Sequence, residues 1–184
     1  DGWSWGVILK DLAALYAGGK LLPAPMQFRE YVALQFAQRG SAAMAAHQQY
    51  WLTQLAGATG ALELPADYPS TAERSYRGDR ITLRLPPDWT ARMRQISREN
   101  GVTLFMTLLA GFTALMHRIA QTSDVVIGTP VAARFPDGSD DLVGYCTHLI
   151  AVRTQLAGAT TFRAHTKTVR DILLAGFEHQ EYPH

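Results

Sequence analysis

The chain has 184 residues, 47% of them hydrophobic and 18% charged, with a formal net charge of +1. So apolar a composition offsets the entropy of ordering by burial and excludes a disordered chain, and seventeen Lys+Arg against sixteen Asp+Glu leave no basic excess to hold nucleic acid. A membrane span is also excluded, because the most apolar stretch, Leu104 to Met116, holds two threonines and a glycine and runs straight into His117 and Arg118.

In chain order, Trp5, Ile8, Leu9, Leu12 and Tyr16 fall at helical spacing, and Gly18-Gly19 ends that helix. Phe28, Tyr31, Val32 and Phe36 predict a second helix broken near Gly40. Ser41 then caps an alanine-rich helix carrying Met44, Tyr50, Trp51 and Leu55, which stops at Gly57. From Ala58 to Gly78 the periodicity dissolves into loop chemistry at Pro65, Asp67, Pro69, Ser70 and Thr71, and this stretch is the expected boundary between two lobes. Ile81, Leu83 and Leu85 alternate with Arg80, Thr82 and Arg84, the pattern of a half-buried strand.

Pro86-Pro87-Asp88 opens a helix with Trp89, Met93 and Ile96 on one face, closing at Asn100-Gly101. Thr103 caps a strongly apolar helix that reaches about Ala120. Val125-Val126-Ile127 is a short continuous apolar run suited to a buried strand between Asp124 and Thr129. A loop is expected from Phe135 to Asp141 and a strand from Gly144 to Arg153. Thr161 opens a last helix with Phe162, Val169, Ile172 and Leu173 inward. Strands alternating with helices predict an α/β fold. The chain opens on Asp1 and stops after Tyr182-Pro183-His184, and both ends read as cuts through a larger protein.

Among sites of possible chemistry, Gly2-Trp3-Ser4-Trp5-Gly6 fits the G-x-S-x-G nucleophile elbow, but no strand precedes it here, and Ser4 as a helix cap is the stronger reading. The six histidines form no H-E-x-x-H or paired C-x-x-C arrangement, so no metal site is expected. Cys146 is the sole cysteine, cannot form an internal disulfide, and fits a reducing, cytoplasmic setting; no targeting segment is read. Cys146, His148, Ile150 and Val152 share one strand face, which by spacing alone makes His148 a core histidine with a hydrogen-bond partner. Arg74, Arg77, Arg80 and Arg84 read as a solvated edge rather than a phosphate site. Gly128-Thr129-Pro130-Val131 with Arg134 follows a buried strand, where ligand sites of α/β folds gather.

Taken together these segments resemble the middle of a condensation domain of a nonribosomal peptide synthetase. Asp1-Gly2-Trp3-Ser4 matches the tail of the family motif HHxxxDG with the tryptophan and serine that usually follow. Phe28-Arg29-Glu30-Tyr31, Tyr50-Trp51 before Leu55-Ala56-Gly57, and Leu62-Glu63-Leu64-Pro65-Ala66-Asp67 follow the family pattern, although Leu34 stands where a tryptophan is usual. Gly101-Val102-Thr103-Leu104-Phe105-Met106 and Gly128-Thr129-Pro130-Val131-Ala132-Ala133-Arg134 are the most recognisable stretches. Val143-Gly144-Tyr145 opens a segment in which most members continue to an asparagine, and His148 replaces it here. His179-Gln180-Glu181-Tyr182-Pro183 resembles the motif HQDxPF.

The resemblance implies part of a two-lobed, chloramphenicol-acetyltransferase-like fold. Residues 1–57 would close the first lobe, 58–78 link the lobes, and 79–184 open the second. It implies an acyltransferase that joins a donor thioester to an acceptor amine, both carried on the phosphopantetheine of carrier proteins, with no cofactor bound directly. Peptidyl carrier protein domains and a neighbouring adenylation domain are the implied partners, in antibiotic or other secondary-metabolite synthesis. Both motif histidines would lie upstream of Asp1, so these residues alone are expected to be inactive. Asp1 and Gly2 would be the tail of the catalytic motif. The aspartate would pair with an arginine, also expected upstream, and Gly2 would permit a tight turn. Trp3, Ser4, Thr129, Arg134, Tyr145 and His148 would contact substrate. An epimerising, ester-forming or lipid-starting member of the family, a noncatalytic docking or recruiting module, and a free-standing acyltransferase are the alternatives.

Overall fold

The computed structural model describes residues 1–21, 26–58, 60–68, 76, 78–134 and 138–182. The elements follow from local caps and are, in order, α1 (Gly2–Tyr16), α2 (Phe28–Gln38), α3 (Ala42–Gln54), α4 (Pro87–Glu99), α5 (Leu104–Ala120), β1 (Asp124–Ala132), β2 (Thr147–Gln155) and α6 (Phe162–Glu178). Ser41 and Thr103 each turn a side-chain oxygen back to the third amide of the helix they open, at Met44 and Met106. Thr161 does the same for Ala164 at the start of α6. Pro87 sits in the first turn of α4, where a missing N–H costs nothing. For α1 the cap is Asp1 and not Ser4: the Asp1 carboxylate accepts from the Ser4 amide at 2.9 Å.

β1 and β2 form a two-stranded sheet. Leu156 N–H donates to Ser123 at one end and Ala133 N–H to Cys146 at the other, so the strands run antiparallel. Val125 is buried but Val126 is 37% exposed, so β1 is half-buried rather than covered on both faces. The shared face of β2 is as the spacing predicts, with Ile150, Val152 and Thr154 buried. Two further expectations fail. Residues 81–85 form no strand, and Ile81 and Leu83 are 96% and 81% exposed. A strand exists only against a partner that takes its backbone groups, and no described residue supplies one. Phe162 at the tip of α6 is exposed, while Val169 and Leu173 are fully buried as expected.

The chain divides into two compact units, residues 1–56 with 128–151 and 175–184, and residues 57–127 with 152–174. The first buries Val7, Tyr31, Trp51, Val131, Ala133, Leu142, Cys146 and Ile150. The second buries Met106, Leu109, Met116, Val125, Val152, Val169 and Leu173. It also carries satisfied polar pairs in its core, Ser97 with Thr107 at 2.8 Å and Thr113 with His165 at 2.8 Å. In the same unit Arg153 grips Asp124 with both ends of its guanidinium, at 2.9 Å and 2.6 Å. Among the described residues no single helix is long and apolar enough to cross a membrane. Pro69, Ser70, Thr71, Arg74, Arg77 and the start of the expected loop at 135–137 lie outside the described residues, as does Pro183 of the terminal motif.

Candidate functional site

The first turn of α1 meets the segment that links β1 to β2, all within the first compact unit. Its centre is the Asp1 carboxylate. Oδ1 accepts from the Ser4 amide at 2.9 Å and from Arg134 Nη2 at 3.3 Å, and lies 2.7 Å from the Ser4 hydroxyl oxygen. Oδ2 accepts from the Cys146 amide at 2.9 Å. Arg134 spends its other terminal nitrogen on two carbonyls, Ser139 at 2.7 Å and Leu142 at 2.8 Å. The aspartate's arginine is therefore inside the chain, not upstream of it. It ties the Ser139 and Leu142 carbonyls to the first turn of α1.

Around this pair the remaining predicted residues take distinct places. Trp3 is half-exposed, donates its indole N–H to the Asp140 carbonyl at 2.8 Å, and its ring centroid lies 5.7 Å from the Arg134 guanidinium carbon. Ser4 is buried and faces protein polar groups. Its hydroxyl is enclosed by Asp1, Arg134 and the Gly144 backbone, whereas a nucleophile elbow holds its serine out for attack. Gly2 is simply the first helical residue. Its φ is not positive and a Cβ there would meet open space, so the tight turn expected of it is absent. Thr129 is buried on β1, and Tyr145 is 70% exposed. His148 is half-buried and its Nδ1 lies 3.0 Å from the Gln180 carbonyl. A carbonyl only accepts, so that nitrogen carries the proton.

Several residues with no site role predicted from the sequence also join the site. Tyr31 donates its hydroxyl to the Ala133 carbonyl at 2.5 Å and receives Gln35 Nε2 at 2.8 Å. Burial pushes its phenol up to about 12, so it stays a donor throughout the physiological range. Burial likewise pushes the Cys146 thiol up, which makes it a core side chain rather than a reactive one. Lys10 reaches Asp141 at 3.0 Å on the exposed side of the same contact. Nearby, the turn after α6 is tied to α3 by Trp51 Nε1 donating to the His179 carbonyl at 2.9 Å and by the His47 and His179 Nδ1 atoms 2.9 Å apart. The signals for these were weak, since a tyrosine on an apolar helix face and single polar residues in a loop have no local pattern. Among the described residues the two ionised groups at the centre of the cluster, Asp1 and Arg134, are each committed to protein partners. What it does chemically is hold backbone in place.

Comparison with known proteins gives a consistent result. The family model described as "Condensation domain" matches residues 1–184. A linear gramicidin synthase from Brevibacillus parabrevis is 37% identical over 189 residues, and malpinin synthetase of Mortierella alpina is 36% identical over 189 residues. Bacitracin synthase 1 of Bacillus licheniformis is 32% identical over 183 residues. Each match covers 100% of this chain, which spans 2%, 2% and 4% of the length of those relatives respectively. Among solved structures, a four-domain nonribosomal peptide synthetase bound to AMP and glycine shares the fold with a TM-score of 0.88 at 23% identity, covering 100% of this chain and 14% of that one. The X-domain from teicoplanin biosynthesis gives 0.86 at 26% identity, covering 100% and 43%.

Proposed function

This chain belongs to the condensation domain family, and from that premise we propose that it forms part of an enzyme unit that makes an amide bond between two carrier-tethered substrates. The observation that carries the reading is the match of the family model to the whole of residues 1–184. Identities of 32–37% to peptide synthetases support the same setting. In the proposed step the acceptor amine nitrogen attacks the donor thioester carbonyl. The C–S bond breaks, the donor carrier recovers its phosphopantetheine thiol, the amine gives up a proton, and the lengthened chain stays on the acceptor carrier. Bringing two tethered groups together supplies much of the rate of such a reaction. The residues of this chain serve that purpose by positioning: Asp1 and Arg134 lock α1 to the 138–146 segment. Trp3, Thr129, Tyr145 and His148 are the proposed substrate-bordering side chains.

In that domain residues 1–57 belong to the first lobe, 58–78 link the lobes, and 79–184 belong to the second. The carrier proteins and an adenylation domain are the proposed neighbours, and phosphopantetheine arrives on the carriers. The reading is tested by loading donor and acceptor carriers in the full-length protein and following the acceptor carrier by intact-mass spectrometry. A mass gain equal to the donor acyl group supports amide formation, and an acceptor carrier that never gains it contradicts the reading. A second reading, a recruiting module without transfer activity, is favoured by one observation: an X-domain of the same fold, 25% identical, is solved in complex with OxyB. That module would bind a partner and leave the acceptor carrier unchanged.

A further inference from the structure

The Ser4 hydroxyl meets four polar groups, more than a serine in a first helical turn needs. It lies 2.7 Å from Asp1 Oδ1 and receives Arg134 Nη2 at 3.2 Å. It also engages both backbone groups of one residue, accepting from the Gly144 amide at 3.0 Å and lying 2.8 Å from the Gly144 carbonyl. A hydroxyl has one proton and two lone pairs. The two incoming N–H groups fill the lone pairs, and the proton goes out to the carboxylate or the carbonyl. Gly144 also packs against Phe28, whose ring would overlap any Cβ placed there.

Two residues further on, the Cys146 amide donates to Asp1 Oδ2 at 2.9 Å and its carbonyl accepts from Ala133 at 2.6 Å. The side chains of Asp1 and Ser4 thus take the backbone amides of Cys146 and Gly144, while the Cys146 carbonyl pairs with the backbone next to β1. β2 starts at Thr147, three residues later than its sequence pattern predicts. The charge of Arg134 is matched by Asp1 whether or not Ser4 carries a hydroxyl, so the hydroxyl's separate contribution is geometric. We infer that Ser4 is a positioning residue, which fixes the backbone of Gly144–Cys146 and thereby the places from which Tyr145 and His148 meet substrate. This rests on the proposal that those two side chains border the reacting groups.

The test uses the full-length protein carrying Ser4→Ala or Ser4→Thr, with two measurements on each. Hydrogen exchange of peptides spanning residues 142–147 reads the backbone, and transfer between loaded carriers reads kcat separately from the half-saturating concentration of acceptor carrier. Ser4→Ala is expected to speed exchange at Gly144 about tenfold and to lower kcat by about tenfold or more, since small displacements at a reacting centre are costly. The half-saturating concentration should stay unchanged, and Ser4→Thr, which keeps the hydroxyl, should recover most of both losses. Unchanged exchange in Ser4→Ala overturns the inference. Faster exchange with an unchanged kcat also overturns it, reducing Ser4 to a structural contact while leaving amide formation intact. A wild-type protein that transfers nothing overturns the proposed function, and the positioning role falls with it.

Discussion

Asp1 and Arg134, 133 residues apart in sequence, face each other in the core of the first compact unit, Oδ1 to Nη2 at 3.3 Å, with side chains 7% and 3% exposed. A pair so far from water is held less by its mutual attraction than by the other bonds that satisfy each partner. Asp1 has the Ser4 and Cys146 amides, and Arg134 has the Ser139 and Leu142 carbonyls. Among the described residues Arg134 Nε and Ser139 Oγ are buried without a partner, so the compensation is incomplete. Residues 139–146 are therefore fastened by charge at one point and by backbone capture at several.

Gly144 should not tolerate a side chain. An alanine Cβ there falls well inside van der Waals distance of Phe28 Cδ2, and the Phe28 ring is itself stacked on Tyr31 with centroids 6.1 Å apart. Gly144→Ala is expected to cost about 1–3 kcal/mol of stability by denaturant titration. Phe28→Ala in the same background should recover part of that loss. If the two substitutions simply add, Phe28 is not what excludes the methyl.

His148 separates two roles by chemistry. Its Nδ1–H donates to the Gln180 carbonyl, a bond that an asparagine amide can also make and alanine cannot. His148→Ala is expected to slow transfer between loaded carriers, and His148→Asn to retain most of the rate. Full activity of His148→Ala together with a loss of about 1–3 kcal/mol in stability would mark a purely structural residue.

Acid should weaken the second compact unit through His165. Burial and the neighbouring His117 ring hold its imidazole below the ordinary value of 6.5. The unfolded chain then binds the proton more readily than the folded one, so this contribution is fully present above pH 6.5 and is lost as the pH falls below it. His117 stands 6.3 Å away, its Nδ1–H donating to Thr122 and its Nε2 facing Thr154 at 3.0 Å. A melting profile between pH 8 and pH 5 should flatten in His165→Gln, in the arm below about pH 6.5. An identical slope in wild type and variant would place the acid sensitivity elsewhere.

What the sequence made legible was mostly local. Ser41, Thr103 and Thr161 were readable as caps because a cap is satisfied within three residues. Residues 81–85 show the limit of that reasoning, since alternation announces a strand but cannot supply its partner. Ser4 was readable as part of a family motif, yet its contact with Gly144 lies 140 residues away and leaves no trace in either local pattern. The same holds for Arg134, which composition presents as the end of a turn and the fold makes the counter-charge of Asp1. Family resemblance supplied the motif aspartate and its need for an arginine. Only the three-dimensional arrangement shows which arginine answers it.

The clamp is tested most directly by a double-mutant cycle on Asp1 and Arg134 in the full-length protein, read as protection of the 142–147 backbone in hydrogen exchange. Asp1→Ala and Arg134→Met each leave a buried charge uncompensated and should each cost about 3–5 kcal/mol locally. Removing both should cost less than the two losses combined, with a coupling of about 2 kcal/mol or more. Losses that simply add would contradict the account, because the carboxylate and the guanidinium would then act on the loop independently.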